Sequence, residues 1–467
     1  MVNKTFNWSK SPSLKFKIIG VILIFFLLIP FGVIISYGGS EIAILIIGIQ
    51  LSIAVSLLIS RSPPTGVFVI ILAAGFDNLG GKLPFVGELS IGKVVGVIVI
   101  LGWLLAIFAN RAKFPPLRVV ALPAIFVFLS AISGFWAMDK GIYFTRLQSL
   151  FFLAVIFVFV VTSLPDLQTI KSVINKFWLA GSLSILLPFV ILILNQNNLG
   201  SILNSRFTGG IGDPNEFALY QLMLLPFTVY AFNSEGRRFH KSVILVVIIL
   251  EVLAIIVSRS RAGLITLFTI IILSIVINRK RINPGILYSL LFLPLLGLLI
   301  NLNPLLNWLR LTNIDTWIYT DRRFSLWLVA LRAIQLHPLT GLGLGNFSVP
   351  ETFSRIEETI PFLYLSGKAS VAHNAYLQIG AELGIIGLLI FVVIVSFATI
   401  RPLLTKFTDS IALEYRSLYQ SIGISMLAGS MMVFTISEQY NKIFWVTIGL
   451  SFIVIYFKKI DNAIEYG

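Results

Sequence analysis

Apolar residues occur along this chain in long blocks, not in alternation. Stretches such as IIGVILIFFLLIPFGVIIS (18–36) and IGKVVGVIVILGWLLAIFA (91–109) recur from end to end, separated by short polar or basic steps. An α-helix needs about 20 residues to cross ~30 Å of hydrocarbon, and it bonds its own backbone amides while doing so. The pattern therefore predicts an all-α polytopic membrane protein of about 12–14 transmembrane helices. Spans are expected at 18–36, 41–60, 64–76, 91–109, 119–136, 143–163, 171–194, 215–232, 242–258, 262–278, 284–300, 384–400, 418–436 and 441–457. The first follows Lys4, Lys10, Lys15 and Lys17 and exceeds the length of a signal-peptide core, so a retained span is expected there. No repeat or low-complexity linker divides the chain, and 1–467 reads as one integral membrane domain. The long connection at 301–383 reads as a large extracytoplasmic loop holding short amphipathic helices.

Composition agrees with this picture. Hydrophobic residues make up 57% and charged residues 12% of the sequence, which leaves too little polar surface to cover a soluble fold. There is no cysteine, so disulfides and thiolate metal sites are excluded, and three scattered histidines cannot build a histidine cluster.

Charge then orients the spans. With a cytoplasmic N-terminus every second loop should be basic. The basic residues fall accordingly: Arg61; Arg111, Lys113 and Arg118; Lys171; Arg237, Arg238 and Lys241; Arg279, Lys280 and Arg281; Arg401, Lys406 and Arg416; Lys458 and Lys459. Both termini are expected inside. Much of the +15 formal charge is thus topological, and it gives no reason to expect nucleic acid as a partner. Arg146, Arg206, Arg259, Arg261, Arg322 and Arg323 break the rule, because they fall at the outer ends of spans or in the outer loop. An arginine at membrane depth costs about 2.5–3.5 kcal/mol on insertion scales and needs a partner. Snorkelling to lipid phosphates would account for any one of them; a set converging on one face fits an anionic ligand, whose phosphate oxygens suit the bidentate guanidinium.

The outer loop carries its own patterns. TDRRFSLWLVALRAIQLHP (320–338) spaces Phe324, Trp327, Leu328, Leu331 and Ile334 as a helix, with Thr320 and Asp321 as caps and Arg322 and Arg323 in its first turn. TGLGLGNF (340–347) has the wrong glycine spacing for a dinucleotide fold and reads as a turn after a helix end. In AHNAYLQIGAELGIIGLLIF (372–391), Asn374, Gln378 and Glu382 would form one polar stripe on a continuous helix. His373 and Glu382 would lie on nearly opposite faces, which argues against a simple acid–base pair. His373 reads either as an interfacial hydrogen-bonding residue or as a general base suited to neutral pH.

Several of these stretches together resemble the O-antigen ligase and polymerase superfamily. His373, Asn374, Gly384 and Gly387 resemble its HN…GIIG pattern, and SRSRAG, through Ser260 and Arg261, its SR-small-small motif. Arg323 and Trp327 fit an R-x3-W…HP-x-x-G-x-G-x-x-F segment; Arg206, Gly209, Pro214 and Asn215 fit an R-x-x-G…PN element. The motifs span 205–400. The resemblance implies a metal-independent, inverting glycosyltransferase that uses no cofactor and transfers a glycan from undecaprenyl diphosphate at the outer face of the bacterial cytoplasmic membrane. The acceptor would be lipid A–core in a ligase, a second lipid-linked repeat in a polymerase, or a protein hydroxyl. By the same resemblance Arg206, Arg261 and Arg323, helped by Arg259, Arg322 and Arg146, would hold the diphosphate. His373 would act as base or phosphate ligand, supported by Asn374, Glu382 and Asn215. From another class, a small-anion transporter such as one for bicarbonate would also place arginines along a membrane path.

Overall fold

The structure is a computed structural model that describes residues 40–77, 91–112, 114–194, 206–278, 322–360, 370–405 and 410–465. Among the described residues the secondary structure is helical throughout, without a strand. In chain order, α1 is Ser40–Arg61, α2 Pro63–Ala74, α3 Ile91–Phe108, α4 Leu117–Ile132 and α5 Lys140–Ser163. Then follow α6 Leu167–Ile174, α7 Phe177–Leu194, α8 Pro214–Ser234, α9 Arg238–Val257 and α10 Arg261–Asn278. The last group is α11 Arg322–Leu336, α12 Pro350–Glu357, α13 Ala375–Leu404, α14 Ser410–Val433 and α15 Lys442–Glu465. The expected spans at 18–36 and 284–300, the first part of the outer loop and the caps Thr320 and Asp321 lie outside the described residues.

Among the described residues six segments are long and apolar enough to cross a bilayer: α3, α4 with the turn after it, α5, α6 with most of α7, α9 and α13. The protein is an all-α polytopic membrane protein. The expected span at 171–194 is interrupted, because the chain turns at Asn175 between α6 and α7.

Four more expected spans, in α1, α2, α10 and α15, are apolar but shorter. The expected spans α8 and α14 are in neither group, and their packing explains why. Both are surrounded by protein: α8 contacts α7, α9, α10 and α14, while α14 contacts α8, α10, α13 and α15. Nearly every α8 side chain from Phe217 to Ala231 is buried. A helix sheathed by other helices has no lipid face to grease, so it can carry polar groups if they are paired. Gln221 Nε2 donates to Ser184 Oγ at 2.8 Å, Thr228 Oγ1 to Glu251 Oε1 at 2.9 Å, and Ser425 Oγ on α14 to the Met223 carbonyl at 2.7 Å. Gly429 has no room for a Cβ beside Met223 and Phe444, so the two central helices touch closely there.

The bundle has two distinct rims. At one, Arg111 reaches the Ser60 carbonyl (3.2 Å), Arg118 covers the Tyr456 ring (5.3 Å), and Ser234 donates to Asn175 (3.0 Å). This rim gathers Arg61 at the end of α1, Arg111 after α3, Arg118 at the start of α4 and Lys241 at the start of α9. The outlying arginines belong to the opposite rim.

Candidate active site

The site begins at the N-terminus of α8. Asp213 caps that helix by accepting from the Asn215 and Glu216 amides at 2.7 and 3.0 Å, and Pro214 occupies its first turn. The cap leaves the Asn215 side chain to its neighbours. Asn215 Oδ1 accepts from Arg206 Nη2 (3.0 Å) and from Ser260 Oγ (2.9 Å), and Arg206 Nε donates to the Ser258 carbonyl (3.0 Å). Arg206 thereby ties the entry to α8 to the three-residue turn between α9 and α10.

That turn is the SRSRAG stretch, and its small residues have a mechanical reason. Ser260 Oγ accepts from the Gly263 amide at 3.2 Å and so caps α10. A Cβ on Gly263 would sit 3.0 Å from Ala218 Cβ, because α10 presses against α8 at this point. Arg259 takes a left-handed φ of +50°, and Arg261 opens α10. Arg206, Arg259 and Arg261 are therefore assembled at one joint, where Asn215 is the shared acceptor of Arg206 and Ser260.

Arg323 approaches from α11. Its Nη1 donates to the Thr435 carbonyl at 3.3 Å, and Trp327, one turn on, meets Phe434 edge-to-face at 5.9 Å. Arg146 on α5 lies over the Tyr440 ring at 5.6 Å. Both arginines thus rest on the short segment 434–441 between α14 and α15. Glu438 of the same segment interacts electrostatically with Glu216 on α8, and Lys442 is ion-paired with Asp77. Burial raises the Glu438 carboxyl well above the ordinary range, and the neighbouring Glu216 raises it further. The Tyr440 phenol is also pushed up, first by burial and then by the charge of Glu382. The sequence reading missed this segment; the signal was two charged residues, Glu438 and Lys442, flanking a Tyr between two spans. Arg322 begins α11.

The His373 turn is built on α13. Asn374 caps the helix by accepting from the Leu377 amide (3.1 Å), and Gln378 Oε1 accepts from the Ala372 amide (3.3 Å). Between these two anchors His373 is held at φ +49°. Among the described residues the non-glycine positive φ values are those of Asn110, Arg259 and His373. Asn tolerates that region, whereas strain at other residues costs about 1–3 kcal/mol and persists where its surroundings fix it, commonly at functional sites. Tyr376 links this turn to the Arg323 group, donating to the Ser430 carbonyl (3.2 Å) and packing against Phe434 (6.2 Å).

The polar stripe forms as expected, but the helix is not continuous. Gln378 Nε2 donates to Glu382 Oε1 at 2.9 Å, and both residues are buried. Two residues later Gly384 leaves helical geometry (φ +70°, ψ −174°). The glycine-rich turn crosses α13 there: the Leu342, Gly343 and Ile385 amides donate to the Ala381, Glu382 and Pro338 carbonyls at 2.9, 2.8 and 2.7 Å. A Cβ at Gly341 or Gly384 would lie 2.4 Å from the facing backbone, which is why glycine occupies both positions. Glu382 Oε2 accepts from the Gly345 amide (2.8 Å), so Glu382 anchors the turn while its charge faces that of Arg146.

A family model described as O-antigen ligase matches residues 244–392. Over these residues the chain is similar to the O-antigen ligase family. A search of curated proteins gives no match. The O-antigen ligase match takes in Arg259, Arg261, Arg323, His373 and Glu382, whereas Arg206, Asn215 and the 434–441 segment lie outside it. The residues outside the match are joined to those inside it by the contacts described above. Members of this superfamily are glycosyltransferase-like enzymes that act on lipid-linked glycans.

Proposed function

We propose that this protein is a membrane glycosyltransferase that moves a glycan from undecaprenyl diphosphate to an acceptor hydroxyl at the outer face of the bacterial cytoplasmic membrane. The carrying observation is the assembly of Arg206, Arg259 and Arg261 at one joint on the rim opposite the basic loops. Under this reading the basic rim is cytoplasmic, both termini lie inside, and 301–383 is extracytoplasmic. The acceptor oxygen attacks the anomeric carbon from the face opposite the diphosphate, which inverts the configuration. The carbon–oxygen bond to the diphosphate breaks, its electron pair moves to the phosphate oxygen, and the acceptor proton passes to His373. Charge developing on the leaving group is met by preorganised guanidinium groups, so arginine cations carry the role that a metal ion would otherwise fill. Arg261 and Arg323 are the main diphosphate ligands, with Arg259 and Arg322 beside them. Arg206 contributes through its hold on the turn, and Asn215 and Asn374 fix the two strained segments. A repeat-unit polymerase would run the same chemistry with a second lipid-linked glycan as acceptor.

The test is His373→Ala, purified and assayed for undecaprenyl diphosphate binding and single-turnover transfer. A general base contributes about 10²–10⁴-fold, so transfer should fall by that order while donor binding holds. Loss of binding with an intact transfer step would make His373 a phosphate ligand instead. Unchanged values of both would remove it from the site.

A further inference from the structure

Glu251 lies within α9, a membrane-crossing helix, and the mechanism makes no use of it. Its side chain is fully buried where α9 packs on α7 and α8. Oε1 accepts from Thr228 Oγ1 at 2.9 Å, whereas Oε2 is buried with no hydrogen-bond partner. On the α7 side a Cβ at residue 181 would strike Oε1, so glycine there makes room for the carboxyl. Gln221 Oε1 is a second buried oxygen without a partner. The amide nitrogen of Gln221 donates to Ser184 Oγ, one turn along α7 from Gly181. Both unmatched atoms at this three-helix contact are therefore acceptors, and what they lack is hydrogen.

An ionised carboxylate does not fit this setting. Charge at membrane depth is costly and persists where a cation or several donors meet it. Among the described residues one neutral hydroxyl, that of Thr228, meets Glu251. The packed helices add little. α7 has no titratable residue, and on α8 Tyr220 gives its hydroxyl to the Ile71 carbonyl at 2.8 Å. Glu216 and Tyr230, also on α8, bring no positive charge. Arg238, His240 and Lys241 lie in the first turn of α9, about 15 Å or more along its axis from Glu251, and Arg261 opens α10 beyond the outer end of α9.

We propose that Glu251 is a proton-binding site inside the bilayer, held as the neutral acid with the proton on Oε2 and with Oε1 as the carbonyl that accepts from Thr228. The proton removes the charge and turns Oε2 into a donor, at a contact whose other unmatched atom is an acceptor. Its loss would leave a bare charge between α7, α8 and α9. That charge would push apart two helices whose outer ends lead to Asn215 and Arg259. The site stands independently of the diphosphate reading.

The test is infrared difference spectroscopy of the full protein in nanodiscs at about pH 7, where an ordinary glutamate, titrating near ~4.3, is ionised. Wild type minus Glu251→Gln should show the carbonyl band of one neutral carboxylic acid. Thr228→Val should move that band to higher frequency, because the acid carbonyl loses its donor. Glutamine keeps an acceptor for Thr228 and sets an NH2 group where the acid has its hydroxyl, so it is the mildest replacement. Carboxylate bands in place of the acid band overturn the site, as does an acid band that Thr228→Val leaves unmoved. If Glu251→Gln fails to fold, wild type minus Thr228→Val decides alone: a shifted acid band supports the site, and a spectrum without one overturns it.

Discussion

Replacing Glu382 should separate anchoring of the glycine-rich turn from simple space-filling. Its side chain is 1% exposed and accepts two hydrogen bonds, from the Gly345 amide on Oε2 and from Gln378 on Oε1. In Glu382→Gln one oxygen becomes an NH2 group, which cannot accept, so one buried donor loses its partner. That costs about 1–3 kcal/mol. Glu382→Ala orphans both donors, which sums to roughly 2–6 kcal/mol before any cavity term. The expected order of thermal stability in detergent is wild type, then Gln, then Ala. Glycan transfer should fall in the same order, because Gly345 packs directly on Arg146: a Cβ there would lie 2.6 Å from Arg146 Cγ. An alanine variant as stable as the glutamine variant would refute the anchoring argument. Normal transfer by a destabilised alanine variant would show that the turn is structural only.

Arg261→Lys keeps the charge but loses the planar fork, so transfer should drop strongly with normal membrane insertion, whereas Arg401→Lys at the opposite rim should be nearly silent; equal behaviour in transfer assays would make Arg261 topological. The absence of native cysteine allows single-cysteine labelling. Glu351→Cys should react with an impermeant thiol reagent added outside intact cells, and Gly236→Cys should react only after permeabilisation; the reverse pattern would invert the topology.

Helix identity was legible because lipid contact imposes long apolar blocks, and α3, α5, α9 and α13 follow that pattern. The helix over Arg322–Leu336 was likewise readable from spacing alone. The departures have physical causes. Gly384 interrupts α13 because another segment's backbone crosses there, a long-range event that no local period records. Ser260 and Gly263 stood out as motif letters, but their work, a cap and a close approach to Ala218, needs two helices in contact to be seen. The electrostatic interaction between Glu216 and Glu438 joins residues more than two hundred positions apart, and each looks like an ordinary loop-edge carboxylate on its own.

The sheathing of α8 also bears on how the chain is made. Its contact with α14 joins residues 202 positions apart, through Ser425 and the Met223 carbonyl. At about 5–20 residues per second, synthesis of that interval takes roughly 10–40 s. Throughout this delay α8 must sit in the bilayer without its principal neighbour. Two of its buried polar side chains, however, are matched to segments that emerge close to it: Gln221 to Ser184 on α7 just before, and Thr228 to Glu251 on α9 just after. The α7–α8–α9 group can therefore be stored with these two pairs already made, while Glu216 at its N-terminal end and its apolar surface wait for α14 and the segment after it. The order of the polar pairs along the chain thus matches the order in which the ribosome delivers their partners.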